Sequence, residues 1–267
     1  MASLNGKVAI VTGASGGIGK GIAHKLAEEG AIVVVNGRTR ASGEAVVRSI
    51  REGGGRADYI GGDILSGEAM RALAEQTIQR FGQIDILVAS AGGQVAGQGS
   101  DDSRLDPEAR LFRNLDPAVV AERVSAATLG KLNPVHAVVN HMLARGSGNI
   151  LFITSEGGRV ATKGQTVASL SAGGLIMMAK VLAKELAASK IRVNTIAVTL
   201  VEDTPSWDVF MRGDADRRSM YAKIQKKAPL GLAKPADIAE LAAFIVSDKA
   251  AYITGATVSP TGGLTTS

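Results

Sequence analysis

Cysteine is absent from this chain, which excludes disulfides, zinc-thiolate centres and thiol nucleophiles together. Histidine is nearly absent, and the three present, His24, His136 and His141, follow no metal-ligand spacing, so no metal site is expected. Aromatic residues make up only 3% of the chain, with one Trp and three Tyr. No run of about 18 apolar residues occurs, and Met1 to Asn5 carry no basic segment leading into an apolar one. Neither a membrane span nor a signal peptide is expected, which places the protein in the cytoplasm. The net charge is +5 and the pI about 9.5. The Lys and Arg are nevertheless dispersed rather than drawn into a stripe, which describes a solvated basic surface and not a nucleic-acid partner.

What is present is a chain of 267 residues, 45% hydrophobic, with 33 glycines, enough for one large α/β core across 1–267. Apolar runs of strand length, Val8 to Val11, Ile32 to Val35, Ile86 to Ala89, Ile150 to Ile153 and Val193 to Val198, alternate with segments of helical period. The helical segments include Gly17 to Glu29, Glu68 to Arg80, Val119 to Arg145 and Ser171 to Ala188. Such alternation requires a doubly wound parallel sheet, Rossmann-like, with helices on both faces. One long irregular stretch, Gly93 to about Pro117, interrupts the pattern. Loops of that length inside a domain are usually functional.

The first strand runs into Thr12-Gly13-Ala-Ser15-Gly-Gly17-Ile18-Gly19, a glycine turn that opens a helix. Gly13 suits the tight turn, Gly17 lets the backbone approach a pyrophosphate, and Gly19 lets helix and strand pack closely, with free N–H groups facing the phosphates. A dinucleotide site is expected. About 20 residues on, where an NAD enzyme carries an acid for the ribose 2′-hydroxyl, the second strand ends in Asn36-Gly37-Arg38. Arg38 with Ser15 suits a 2′-phosphate, which points to NADP(H).

With these motifs the chain resembles the short-chain dehydrogenase/reductase family over nearly its whole length. The glycine motif matches, as do Gly62-Asp63-Ile64, the family's adenine-contacting turn, and Asp85 to Gly92, whose Ala91-Gly92 ends the family's Asn-Asn-Ala-Gly. Gly148 to Ser155 resembles the strand bearing the catalytic serine, Ile191 to Asn194 the next strand, and Ile253 to Gly255 with Gly262-Gly263 the C-terminal tail. The resemblance implies a serine that binds the substrate carbonyl, a tyrosine that moves its proton, a lysine four residues later and an asparagine on the preceding long helix. Ser155 holds the serine position. The tyrosine and lysine positions fall on Ala168 and Ala172, and counting back from Ser155 puts Ala127 at the asparagine. The family's Pro-Gly after the sixth strand is replaced by Val198-Thr199, and Ala89-Ser90 replace two asparagines. Ser155 either contacts substrate or merely bonds a neighbouring backbone group.

Candidates to replace the lost acid are few. Tyr59 lies near the adenine strand and Tyr252 near the tail, while Tyr221 falls in a lid-like segment, Thr204 to Lys227, with Trp207, Phe210 and Met211. Glu156, Arg159 and Lys163 follow Ser155 and read as solvated loop charges; His136 and His141 read as surface or interface residues; Pro134 is expected to bend its helix. Losing the general acid disfavours ordinary ketones. It is compatible with hydride transfer to a quinone or aromatic polyketide, with substrate-assisted O₂ activation and hydroxylation of the kind the resemblance connects with antibiotic biosynthesis. A non-catalytic NADP(H) sensor or scaffold explains the same alanines, and an ordinary carbonyl reductase is the third reading. The resemblance also implies a homo-oligomer, a tetramer before a dimer, built on the two long helices.

Overall fold

The computed structural model describes residues 3–92, 108–211 and 215–266. Most of the long irregular stretch, 93–107, lies outside the described residues, and so do the side chains of Phe210 and Tyr221. Seven parallel strands lie in the order β3-β2-β1-β4-β5-β6-β7, namely β1 Val8–Thr12, β2 Ile32–Asn36, β3 Arg56–Tyr59, β4 Ile86–Ala89, β5 Gly148–Ser155, β6 Ile191–Val198 and β7 Thr257–Val258. The helices are α1 Gly17–Glu28, α2 Arg40–Glu52, α3 Gly67–Phe81, α4 Pro117–Arg145, α5 Thr166–Leu186, α6 Pro205–Met211, α7 Ala215–Lys227 and α8 Pro235–Val246.

Strand periodicity divides the core in two. Ala9, Val11, Val33, Val35, Ile86, Val88, Leu151 and Ile153 face α1, α2 and α8. Their alternating neighbours, among them Ile10, Val34, Leu87, Ala89, Ile150 and Phe152, face α3, α4 and α5. Both faces of the sheet are therefore covered, which is why its strands read as continuous apolar runs. The order reverses at β1, with β2 on one side and β4 on the other. Ligands of such sheets bind in the crevice at the carboxyl ends of these strands.

Several boundaries differ from the sequence reading. α5 begins at Thr166, earlier than the expected Ser171, because Gly164 with a positive φ ends the preceding loop and the helix then runs unbroken through Ala168 and Ala172. α4 begins at Pro117, whose missing N–H suits a first helical turn, with the Asp116 side chain accepting from the Ala118 N–H. Pro134 lies buried inside α4. The tail is tied to β6 by Arg192, which donates to the carbonyls of Ile245, Ser247 and Ile253, and by Asn194, which donates to Ile253 and accepts from Ala256.

Candidate functional site

At Gly13 and Gly19 the glycine turn has no room for a side chain. A Cβ on Gly13 would lie 2.7 Å from the Ala91 Cα, and one on Gly19 would lie 2.4 Å from the Gly13 carbonyl oxygen. Gly13 and Gly17 both have positive φ. The end of β4 is thus pressed onto the turn, and the Ala91 N–H points to the buried Thr12 Oγ1 at 3.4 Å. α1, starting at Gly17, presents its free N–H groups at the same place. The start of α6 closes over it: a Cβ on Gly17 would meet Pro205 and Thr204 at 3.2 and 3.4 Å. Thr204 Oγ1 caps α6 by accepting from the Trp207 N–H. This backbone cradle fits a dinucleotide pyrophosphate.

Ser15 and Gly37 meet beside it. A Cβ on Gly37 would lie 2.8 Å from Ser15 Oγ, so a side chain at 37 would require the Ser15 hydroxyl to turn aside. Arg38 is exposed at the rim. Tyr59 supports this corner from below, its hydroxyl donating to the Gly37 carbonyl at 2.8 Å. Asp63 accepts from the Leu65 N–H through one oxygen. The Ile64 side chain turns away from the crevice and packs on α4 at Gly130, leaving only its main chain toward a cofactor.

On the substrate side the structure brings Ser155, Ala168 and Ala172 around one short 3-10 turn, Glu156–Gly158. Ser155 Oγ accepts from the Gly157 N–H at 3.1 Å, which leaves the hydroxyl proton free to donate. A Cβ on Gly157 would lie 3.3 Å from Ser155 Oγ and 3.7 Å from the Ala168 Cβ; one on Gly158 would lie 2.9 Å from the Ala172 Cβ. Gly158 therefore packs tightly onto Ala172, whereas Gly157 leaves room for a methyl group beside Ala168.

Two side chains, Glu156 and His141, depart from expectation. Glu156 is not a solvated loop charge: it is 3% exposed and accepts from Ser259 and Thr265, because the C-terminal tail folds over this turn. Arg159, exposed, donates to Ser259 as well, while Lys163 is solvated. His141 is half-buried and its Nε2 accepts from the Ile84 N–H at 3.2 Å; burial holds it below the usual imidazole range. His136 is exposed.

Lys131 went unnoticed in the sequence. It is 3% exposed, and its Nζ donates to the Ala89 carbonyl at 2.7 Å. Burial alone lowers its pKa to about 7. A signal existed: Ala126, Gly130, Lys131, Pro134, Val135, Val138 and Met142 form the buried stripe of α4, and a lysine within an apolar stripe at helical spacing is anomalous.

A parallel sheet reversing at β1, with a glycine cradle at the reversal and Ser155 at the end of β5, defines a dinucleotide-binding α/β protein of oxidoreductase type. The family model described as short chain dehydrogenase matches residues 7–213, and the chain belongs to that family. It is 30% identical over 262 residues to the 3-oxoacyl-acyl-carrier-protein reductase FabG of Thermotoga maritima, covering 98% of each chain. It is 33% identical to glucose 1-dehydrogenase 2 of Bacillus subtilis, covering 98% of this chain and 96% of that one. Among solved structures it resembles a 7 alpha-hydroxysteroid dehydrogenase complexed with NADH and 7-oxo glycochenodeoxycholic acid, with a TM-score of 0.85 and 30% identity over 98% of this chain and 95% of the other.

Proposed function

We propose that this chain is an NADPH-dependent reductase that passes hydride to a quinone or an aromatic polyketide. The observation that carries the reading is the alanine set at 127, 168 and 172, two of which face the glycines of the turn after Ser155. When bound, the nicotinamide dinucleotide supplies the hydride. Gly13, Gly17 and Gly19 with the start of α1 would hold its pyrophosphate, Ser15 and Arg38 its 2′-phosphate, Asp63 and the Ile64 main chain its adenine, and Ala91-Gly92 the turn toward the nicotinamide.

Reducing an ordinary ketone creates an alkoxide, and removing the general acid commonly forfeits about 10² to 10⁴ in rate. A quinone that accepts hydride becomes instead a hydroquinone monoanion, whose conjugate acid has a phenol-like pKa of about 10. One proton from water completes it, and no enzymic acid is needed. Ser155 retains a hydroxyl proton that can bond the acceptor's oxygen. A hydroquinone so formed can react with O₂ without metal or flavin in two ways: simple reoxidation returns the quinone and H₂O₂, whereas addition of O₂ at a ring carbon gives a hydroperoxide that loses water to leave a hydroxyquinone, which would be read out as oxygenation of the substrate.

NADPH oxidation should therefore proceed with anthraquinone-type acceptors and not with simple ketones, and Ser155→Ala should lower turnover by less than about tenfold. Assays with and without O₂ separate reduction from oxygenation. Efficient reduction of plain ketones would overturn the reading by revealing an acid elsewhere. NADPH binding with no acceptor reduced would replace it with a non-catalytic sensor.

Two apolar surfaces support a homo-oligomer, which we propose is a tetramer. Leu129, Leu132 and Leu143 on α4 and Leu170, Met177 and Val181 on α5 are exposed. The composition of α5 alone would suit a membrane span, but its inner face packs on β5 and β6 and its outer face needs a protein partner. Light scattering should give about four times the 27.4 kDa chain mass; monomers at micromolar concentration would refute it.

A further inference from the structure

Lys131 is a buried amine with one hydrogen-bond partner. Its three donors meet, among the described residues, only the Ala89 carbonyl. Such a group is costly to keep: apolar replacement of a buried charge is often neutral or stabilising, and strongly perturbed groups bordering clefts are functional candidates.

Position gives the amine a neighbour. α4 runs back against the direction of the strands, and helical side chains tilt toward the helix N-terminus, so Lys131 reaches up toward the carboxyl edge of the sheet. Ala89 is the last residue of β4, and Ala91, two residues on, is the residue pressed against Gly13. Two extended residues span about 7 Å, which puts Nζ within about 10 Å of the crevice between β1 and β4. It lies on the β4 side of the glycine turn. Arg38 and Ser15 lie on the β2 side, so the nicotinamide half of a dinucleotide would cross the end of β4.

We propose that Lys131 is a positioning residue of the cofactor cleft, whose buried ammonium fixes the end of β4 and makes the cleft prefer the reduced over the oxidised dinucleotide. The oxidised nicotinamide ring carries a positive charge that the reduced ring lacks; all other charges of the two forms are the same. A cation about 10 Å from such a ring, at an effective dielectric constant of about 20, would bias that pair about tenfold. This rests on the dinucleotide reading and not on the quinone.

Among the described residues, no other charge on the elements packed around Lys131 performs the task, and Asp63, before the Ile64 that packs on α4, accepts from the Leu65 N–H. Burial is the sole cause of the lowered Lys131 pKa. On α3, Glu68, Arg71, Glu75 and Arg80 are exposed, as are Lys180 and Lys184 on α5. Asp85 stands before the opposite end of β4, held by the Val8 N–H, Gln83 and Arg145, and Glu156 beyond β5 is held by the tail.

The sign of the pH dependence follows. Lys131 is charged in acid and neutral above its lowered pKa of about 7, and the anionic cofactor moves that transition upward. The ratio of dissociation constants, oxidised over reduced, should fall about tenfold between about pH 6 and pH 9. Titration of the 2′-phosphate, near pH 6, affects both forms alike and cancels in the ratio.

Fluorescence titrations of NADPH and NADP⁺ across this range, on the full chain, test the assignment without any turnover. Wild type should show the fall, Lys131→Met a low and flat ratio, and Lys131→Arg a ratio less dependent on pH. Lys131→Met should also unfold at a higher temperature near pH 7, as a group retained for function rather than stability would. A flat wild-type ratio with both forms bound overturns the proposal alone, and needs no variant that folds. Equal loss of both forms in Lys131→Met, with the preference kept, shows a merely structural role and also overturns it. A wild type that binds neither form overturns the dinucleotide reading along with it.

Discussion

Gly19→Val is expected to abolish binding of NADPH and NADH alike, lowering affinity at least about 100-fold. The first carbon of the new side chain would sit 2.4 Å from the Gly13 carbonyl oxygen, 2.8 Å from its carbon and 3.2 Å from the Ala14 Cα. All three are backbone atoms of the turn that would cradle the pyrophosphate, so they cannot rotate aside as a side chain can. Relief requires α1 to move off β1 or the turn to open, and either withdraws the helix N-terminus from the phosphates. Fluorescence titration measures the loss, and a melting curve reports the accompanying destabilisation of α1 packing. Wild-type affinity in this variant would contradict the placement of the cofactor.

Arg38→Asp is expected to weaken NADPH about 100-fold while changing NADH little, so that the preference between them inverts. A hydrogen bond to a charged group contributes about 1.5–3 kcal/mol, and the substitution adds repulsion between carboxylate and phosphate. Gly37 itself brings no acid to the ribose; it lies against Ser15, and Tyr59 donates to its carbonyl. Paired titrations with the two reduced cofactors measure the change. Equal losses for both would remove Arg38 from the 2′-phosphate site.

The doubly wound sheet was legible because its strands are buried on both faces and so appear as unbroken apolar runs, and because the glycine turn comes with its strand and helix in sequence. The edge elements were less so. β3, Arg56–Tyr59, is only four residues with an exposed start and a mixed pattern, and β7 has two residues, Thr257 and Val258, paired with Thr195 and Ile196 of β6. Tertiary pairing, not local pattern, makes them strands. The first turn of α5 is hidden in the sequence because Thr166, Val167 and Ser169 are weak helix formers, whereas the contact of the helix with the turn after Ser155 carries it to Thr166.

The sequence by itself determined the fold family, the cofactor cradle and the loss of three polar groups, since each depends on residue type at a fixed spacing along one segment. Only the tertiary structure decided what fills the places left. Gly158 packs on Ala172 because a turn from one segment meets a helix from another. Glu156 is buried because the tail, about 100 residues downstream, supplies the hydroxyls that bond it. A carboxylate in a loop reads as solvated until its partners are known. For Lys131 the apolar stripe of α4 marks the position in sequence, but its partner, the Ala89 carbonyl, is supplied only where α4 lies against the end of β4. Burial is a property of the assembled layers, and the ionisation it sets cannot be read from any one of them.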